Sequence, residues 1–231
     1  MGSKLNYKKT FLLGFGFFAI SITWSVYNAF MPLLLGKFIV SSALIGFIMT
    51  IDNYLALFIQ PAVGFYSDKI KTRFGKRMPF IMVGMPLAAF FTFLIPISNS
   101  MITLIFALVF MNLSMSIYRS PVIALMPDIT PTKNRSKANG IINLMGGIGS
   151  LTAYIIGGKL YDMNESYPFV LSAFLILISF IVLFIGIKEK RDVIAYQQVE
   201  EESNLFQGMG VVLKDKNTTF LLLAIMSWFI A

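Results

Sequence analysis

The stretch MITLIFALVFMNLSMSIYRSPVIALMP, residues 101–127, contains a single charged side chain, Arg119. About 20 apolar residues in an α-helix are enough to cross the hydrocarbon core of a bilayer, and this stretch is longer than that. Five similar runs occur at about residues 11–35, 42–66, 79–98, 139–158 and 168–187. Asp52, in the second of the six runs, is the only other charged residue inside them. The sequence therefore predicts an all-α membrane protein with six transmembrane helices.

The overall composition agrees with this prediction. Of the 231 residues, 57% are hydrophobic and only 13% are charged, and the mean hydropathy is +0.76. A soluble domain of this length needs more polar surface. A seventh apolar run, TFLLLAIMSWFIA at residues 219–231, is too short to cross the bilayer. We expect it to be the start of a truncated seventh helix.

The basic residues predict how the chain is oriented in the membrane. With a cytoplasmic amino terminus, 16 of the 19 Lys and Arg residues lie in cytoplasmic segments, and only Lys37 and Lys159 lie in outside loops. Because cytoplasmic loops are enriched in Lys and Arg, this distribution favours that orientation. Anionic lipid headgroups then explain the net charge of +8, and no nucleic acid is needed as a partner. We expect a multi-pass protein of the cell membrane, either a plasma membrane or an inner membrane.

The residues for most kinds of enzyme chemistry are missing from the sequence. It contains no cysteine and no histidine, which excludes disulfides, thiolate chemistry and imidazole acid–base catalysis. No cluster of side chains indicates a nucleophile with its base, or a set of metal ligands. We therefore expect a protein that is not an enzyme and that needs neither a cofactor nor a metal ion.

The runs divide the chain into three segments. Residues 1–187 form the predicted six-helix bundle, residues 188–218 a cytoplasmic linker, and residues 219–231 the start of the seventh helix. The linker has five apolar residues at helical spacing: Leu205, Phe206, Met209, Val212 and Leu213. They predict a short helix on the inner membrane surface, with a disordered tether as the alternative. Six spans, a linker and a new span indicate two six-helix halves with a binding site between them, so the expected partner is a C-terminal half.

Arg119 and Asp52 are the candidates for a functional role inside the membrane. A charge at this depth costs several kcal/mol unless it faces protein or water and finds a partner. Judged by their positions along the two helices, a direct Asp52–Arg119 pair is sterically possible. Asp52 is the only carboxylate inside the runs, so we predict that it couples a proton flux to a substrate flux. The hypothesis is that the substrate and Asp52 compete for Arg119.

Polar residues in the first and fourth runs predict a substrate-binding site. Asn112, Ser116 and Arg119 share one face of the fourth run, at i, i+4 and i+7. The first run contributes Trp24, Tyr27 and Asn28. Amide and hydroxyl groups, a guanidinium and an aromatic face together suit a ligand rich in hydroxyl groups. The alternative is that these polar groups satisfy one another inside the bundle.

Two loop motifs carry a family resemblance. The segment IQPAVGFYSDKIKTRFGKRMPFI, residues 59–81, resembles the loop after the second span in major facilitator superfamily transporters of the glycoside–pentoside–hexuronide:cation symporter group, and more closely its sucrose-transporter branch. The segment ALMPDITPTKNRSKANG, residues 124–140, is a second match. The resemblance implies the six-helix N-terminal bundle of a major facilitator fold. It also implies a secondary active transporter that moves a disaccharide or another glycoside together with a proton by alternating access.

The same resemblance implies a cytoplasmic gate. In this superfamily a loop aspartate, a loop arginine and an acidic residue at the end of the fourth span form a charge cluster. The matching residues here are Asp68, Arg77 and Asp128, with Arg135 nearby. Such pairs hold the inner ends of helices together in one conformation and release them in another. A static surface network is the alternative.

The sequence departs from the family pattern at two places. Gln60 and Ala56 stand where sodium-coupled members carry aspartates, which argues against that sodium site. Ile123 directly precedes an Ala-Leu pair where plant sucrose transporters have an arginine, and Arg119 lies one helical turn earlier. Two alternatives therefore stay open: a facilitator or exporter of another small solute on the same fold, and a half-transporter fragment that does not transport.

Overall fold

The structure is a computed structural model that describes residues 5–70, 72–189 and 220. These residues form α-helices joined by short connections, and no β-strand occurs among them. The helices are α1 (Tyr7–Leu35), α2 (Ser42–Met49), α3 (Ile51–Lys69), α4 (Met78–Leu94), α5 (Met101–Ile129), α6 (Arg135–Leu151), α7 (Gly157–Met163) and α8 (Tyr167–Gly186). Short 3-10 helices follow α4 and precede α6, and a π-helical turn, Thr152–Ile156, separates α6 from α7.

Within the described residues the helices group into six spans that are long and apolar enough to cross a bilayer. α2 and α3 together form the second span, Ser42–Lys69, and α6, the π-helical turn and α7 lie in the fifth, Thr132–Met163. The first, fourth and sixth spans are α1, α5 and α8, and the third is Met78–Ile97. The prediction of an all-α membrane protein with six transmembrane helices is confirmed.

The structure divides into two compact units, Met1–Ala195 and Tyr196–Ala231. The six spans belong to the first unit. The predicted linker, residues 188–218, and the predicted start of a seventh helix, residues 219–231, lie outside the described residues except for Lys188, Glu189 and Phe220. The interfacial helix and the truncated seventh helix therefore stay predictions.

Helix packing places the first and fourth spans at the centre of the bundle. α1 packs along α6 and α8, while α5 packs against both α3 and α4. α4 also contacts α8, and α1 contacts α5 directly. In the most apolar part of the first span 61% of the residues are buried, against 6% in the second span. The second span is thus an edge element that meets the centre of the bundle mainly through α5.

Small residues allow the fifth span to lie close to the first. A Cβ atom on Gly149 would lie 2.6 Å from the backbone carbonyl oxygen of Phe18, and one on Gly157 would lie 3.3 Å from the ring of Phe30. Ala153, between the two glycines, is fully buried. In lipid, where helix association depends on van der Waals packing, such a face stabilises close helix contact.

Candidate functional site

A cavity of about 190 Å³ lies where the first, second and fourth spans meet. α1 contributes one lining residue, α3 contributes three and α5 contributes one: Trp24, Asp52, Asn53, Ala56 and Arg119. Three helices therefore bring together residues that are far apart in the sequence. The cavity contains both charged residues that lie inside the predicted apolar runs.

The break between α2 and α3 determines where Asp52 lies. α2 ends at Met49, and the hydroxyl of the following Thr50 donates a hydrogen bond to the carbonyl oxygen of Phe47 at 2.7 Å. α3 begins at Ile51, so Asp52 occupies its first turn, where the free backbone N–H groups of a helix stabilise a negative charge. One carboxylate oxygen of Asp52 accepts a hydrogen bond from the backbone N–H of Asn53 at 2.7 Å.

Arg119 is half-buried and lies over an aromatic ring. Its guanidinium carbon is 5.8 Å from the ring centroid of Trp24, a distance typical of a cation–π contact. Among the described residues, Arg119 forms no ion pair, and Asp52 forms none either. Both side chains line the same cavity without a direct salt bridge, so both leave hydrogen-bonding capacity directed at the cavity.

The aromatic side of the cavity is continued by Tyr27. The rings of Trp24 and Tyr27 meet edge to face, with their centroids 5.5 Å apart. Tyr27 is buried, and its hydroxyl donates a hydrogen bond to the carbonyl oxygen of Met49 at 3.3 Å. Tyr27 thereby connects the first span to the end of α2 and packs against the indole ring of Trp24.

The remaining predicted substrate-binding residues do not line this cavity. Ser116 and Asn112 are buried on α5, and Asn28 is exposed on α1. Asn112 lies beside the Tyr27 hydroxyl. The Trp24 indole nitrogen is buried and has no hydrogen-bond partner among the described residues. Because buried polar groups are normally hydrogen-bonded, Trp24 has unused hydrogen-bonding capacity.

Two cavity residues were not predicted as site residues, Asn53 and Ala56. Asn53 is adjacent to Asp52 in sequence, and a polar residue next to an intramembrane carboxylate was a usable signal. Ala56 is one helical turn beyond Asp52 on the same face of α3, so the spacing also indicated its position. Its small side chain helps to leave the space open between Asp52 and Arg119.

A second cluster lies at the opposite end of α3, around Arg77. The guanidinium of Arg77 donates from Nε to the carboxylate of Asp128 at 3.2 Å and from Nη2 to the carboxylate of Asp68. Its Nη1 donates to the hydroxyl of Ser67 and to the carbonyl oxygen of Gly64, the latter at 3.3 Å. Arg77 is buried, with 5% of its surface exposed. Its guanidinium ties the end of α3 to the end of α5.

Arg135, the fourth predicted member of this cluster, has a different contact. Its Nη2 donates to the backbone carbonyl oxygen of Pro127 at 3.2 Å, and the residue is exposed. It forms no ion pair with Asp68 or Asp128 within the described residues. Arg135 therefore stabilises the carboxyl end of α5, where a positive charge is favourable.

Glu189 belongs to this region and was missed by sequence reasoning. Its carboxylate accepts hydrogen bonds from three successive backbone N–H groups, those of Lys76, Arg77 and Met78, at 2.6, 2.9 and 2.8 Å. Only 1% of its surface is exposed. Glu189 lies among Lys188, Lys190 and Arg191 in the sequence, so it looked like part of a solvated basic linker.

The described residues hold no group of three or more His, Cys, Asp or Glu side chains that could bind a metal ion. What the cavity offers is a guanidinium, a carboxylate, an amide and an indole face. These groups can bind a polar solute and hold or release a proton, which makes the cavity a candidate solute site in a membrane carrier.

Comparison with known proteins identifies the family. The family model described as the Major Facilitator Superfamily matches residues 13–231, nearly the whole chain. The chain belongs to the major facilitator superfamily, and its six spans form the N-terminal half of that fold. Members of this superfamily are transporters and not enzymes, so the membership confirms the predicted class of protein.

The similarity to individual relatives is low and covers part of their length. The riboflavin transporter RibZ of Clostridioides difficile is 25% identical over 211 residues, which are 90% of this chain and 43% of RibZ. The sucrose transport protein SUC3 of Arabidopsis thaliana is 24% identical over 155 residues, 58% of this chain and 26% of SUC3. The proton-associated sugar transporter A of Mus musculus is 25% identical over 166 residues, 64% of this chain and 22% of that protein. The chain thus spans less than half the length of these relatives. The two sugar transporters agree with the predicted resemblance to the sucrose-transporter branch.

Proposed function

We propose that this chain is the N-terminal half of a secondary active transporter that carries a disaccharide or another glycoside together with a proton. The observation that supports the proposal most is that Arg119 and Asp52 line one cavity without pairing with each other. A charged side chain in a membrane span is costly, so it is retained where it faces a cavity and has a function there. The proposed location is the cell membrane, with a cytoplasmic amino terminus.

The chemistry of the cavity favours a ligand with many hydroxyl groups. A sugar ring packs its apolar face against aromatic side chains, and Trp24 lines the cavity together with Arg119. Hydroxyl groups can donate to Asp52 and accept from Arg119, which gives the ligand a defined orientation. Asn112, Ser116, Tyr27 and Asn28 are then proposed as outer members of the site, reached when the solute is enclosed.

The size of the cavity supports a partner half. Sites for small-molecule ligands usually measure about 300–1,000 Å³, whereas this cavity measures about 190 Å³. A disaccharide therefore needs additional space and additional walls. In the proposed mechanism a C-terminal half supplies them, and the solute binds between the two halves near the midplane.

The proposed coupling mechanism is competition for Arg119. When no solute is bound, the guanidinium is available to the nearby Asp52 carboxylate and stabilises its charged form. A solute that binds Arg119 removes this stabilisation and favours protonation of Asp52. Solute and proton then occupy the site together, which is the condition for symport by alternating access.

The cluster of Asp68, Arg77 and Asp128 is proposed to act as the cytoplasmic gate. Its hydrogen bonds join the end of α3 to the end of α5 in the conformation described here. A change of conformation that separates these helix ends has to break the bonds, so the cluster biases the equilibrium between conformations. Arg135 is proposed to assist by stabilising the end of α5.

Uptake by reconstituted vesicles tests the proposal. The protein that contains this chain together with its C-terminal half is reconstituted, and the uptake of radiolabelled sucrose, maltose and other glycosides is measured with and without a proton uncoupler. We expect accumulation of at least one glycoside that the uncoupler abolishes, and no accumulation by the 231-residue chain alone. Glycoside uptake that never exceeds equilibration, whatever the proton gradient, would contradict symport.

A second candidate is a facilitator or exporter of another small solute. The observation that favours it is the match to RibZ, a riboflavin transporter, over 90% of this chain. The same vesicles loaded with riboflavin test this candidate. Efflux of riboflavin, with no glycoside transport, would replace the first proposal by the second. A half-transporter that does not transport is the remaining alternative, and it predicts no flux of either solute.

A further inference from the structure

We propose that Glu189 is the positioning residue of the cytoplasmic cluster, and that its carboxylate holds the main chain at Arg77 so that the guanidinium reaches both Asp68 and Asp128. This inference rests on the geometry around Arg77. It deepens the proposed gate by adding the residue that connects the gate to the end of the sixth span.

The hydrogen bonds of Glu189 are directed at the backbone that carries Arg77. Arg77 is the residue immediately before α4, and Met78 is the first residue of that helix. The first N–H groups of a helix have no acceptor within it, so they need one from outside. No side chain of the helix's own N-cap accepts from them, and the Glu189 carboxylate supplies the acceptor from 111 residues away in sequence.

The loop before α4 is shaped to receive this carboxylate. Gly75 has φ of +122°, a conformation that side chains disfavour. A Cβ atom on Gly75 would lie 2.3 Å from the carboxylate carbon of Glu189, which is an overlap. The turn itself is closed by Thr72, which exchanges backbone hydrogen bonds with Gly75 at 3.3 Å. Position 75 therefore needs glycine for two reasons: its φ is positive, and a larger side chain would overlap Glu189.

Arg77 is held through both its main chain and its side chain. Its backbone N–H donates to Glu189 at 2.9 Å, and its Nε donates to Asp128 at 3.2 Å. The bond to Glu189 fixes the point from which the side chain extends, so less main-chain freedom is lost when the guanidinium binds two carboxylates. If the α4 amino terminus moved, Arg77 could no longer reach the ends of α3 and α5 at once. Glu189 thereby makes the position of the sixth span part of the gate.

Hydrogen–deuterium exchange measures the contact directly. In the protein in lipid nanodiscs, the amides of Lys76, Arg77 and Met78 are expected to be protected, and Glu189→Gln is expected to accelerate their exchange about tenfold or more. The amides of Phe80 and Ile81 donate to the carbonyl oxygen of Arg77 and serve as an internal comparison. Glu165→Gln, at the other end of the bundle beside Lys37, is the matched control and is expected to change nothing at residues 76–78. Unchanged exchange in Glu189→Gln would overturn the proposal.

A double-mutant cycle separates positioning from simple helix capping. Asp68→Asn is expected to lower the Tm of the otherwise unchanged protein, and to lower it by less than half as much in the Glu189→Gln protein, because Arg77 is then already displaced. Equal decreases in the two proteins would show that Glu189 caps α4 independently of the gate, which overturns the inference. If Glu189→Gln does not fold, the cycle is run with Glu189→Asp, which keeps the charge and shortens the reach. If Asp68→Asn lowers the Tm of the Glu189→Asp protein by its full amount, the negative charge at position 189 is sufficient without the longer reach. That result would also overturn the positioning role. These readouts need no transport, so they stand or fall separately from the proposed solute and coupling ion.

Discussion

The cavity between the first, second and fourth spans and the cluster at the end of α3 each contain an arginine. The two arginines differ in how far the protein itself occupies their hydrogen-bond donors. Arg77 is buried and donates hydrogen bonds to two carboxylates, a hydroxyl and a carbonyl oxygen. Arg119 is half-buried, lies over Trp24 and forms no ion pair within the described chain. A guanidinium whose donors are occupied by protein groups stabilises helix ends, whereas one that is left facing a cavity is available to a ligand. In the proposed function Arg77 therefore belongs to the gate, and Arg119 belongs to the solute site.

The largest effect on activity is expected from Arg119→Gln. Loss of a charged hydrogen bond to the solute costs about 2–5 kcal/mol, so accumulation should fall about a hundredfold or more. The Tm should change by less than 2–4 °C, because about 1 kcal/mol of stability or less is involved. The measurement is radiolabelled uptake together with thermal unfolding in detergent. A fall in Tm that accounts for the lost activity would remove the distinction between the two arginines.

The next largest effect is expected on stability, from Arg77→Gln. Removing one member of a buried ion pair leaves Asp128 in a poorly solvated position and costs about 3 kcal/mol. For a chain of this length the Tm should fall by about 6–12 °C. Thermal unfolding measures this directly, and Arg135→Gln is the matched control, since Arg135 is exposed and bonded to one carbonyl oxygen. Similar decreases for the two variants would mean that the ion pairs of Arg77 contribute no more stability than the single contact of Arg135.

A smaller and more selective effect is expected from Asp52→Asn. The variant cannot release a proton at this position, so proton-driven accumulation should fall about tenfold or more, while exchange of labelled for unlabelled solute across the membrane continues. Uptake and counterflow assays on the same vesicles separate the two processes. If Asp52→Asn keeps full proton-driven accumulation, the carboxylate is not the coupling group, although Arg119 can still bind the solute.

The smallest effect is expected from Trp24→Phe. A phenyl ring keeps part of the aromatic face but gives a weaker cation–π contact and loses the indole N–H, so KM should rise about two- to tenfold with kcat nearly unchanged. Trp24→Leu, which removes the aromatic face, should raise KM further. Equal KM values for the two variants would show that the ring fills space and does not contact the solute.

The two regions also differ in how far the sequence could predict them. The six spans were predictable because the absence of charge over a bilayer length leaves few alternatives. The contacts of Arg77 with Asp68 and Asp128 followed from a motif resemblance. Glu189 was not predictable, since it is 112 residues from Arg77 and only the packing of α8 brings it to the start of α4. Local sequence cannot indicate which distant carboxylate a helix terminus receives.

The cavity shows a different limit of sequence reasoning. Helical periodicity groups Asn112, Ser116 and Arg119 on one side of α5, but it does not say which neighbouring helix covers each residue. Asn112 and Ser116 are covered by the bundle, and Arg119, further along α5, reaches the cavity. Asp52 lies in the first turn of a helix because α3 starts anew at Ile51, a break inside a continuous apolar run that hydropathy alone did not reveal.

The accessibility of the cavity is the most direct test of the central claim, which is that Arg119 and Asp52 face water and solute. The chain has no cysteine, so Ala56→Cys introduces its single thiol into the cavity lining, and Ala88→Cys introduces one into the packed interior, on α4. With a small water-soluble thiol reagent, we predict rapid labelling of Ala56→Cys, protection by the transported solute, and no labelling of Ala88→Cys. Labelling of Ala56→Cys that is as slow as that of Ala88→Cys would contradict the account.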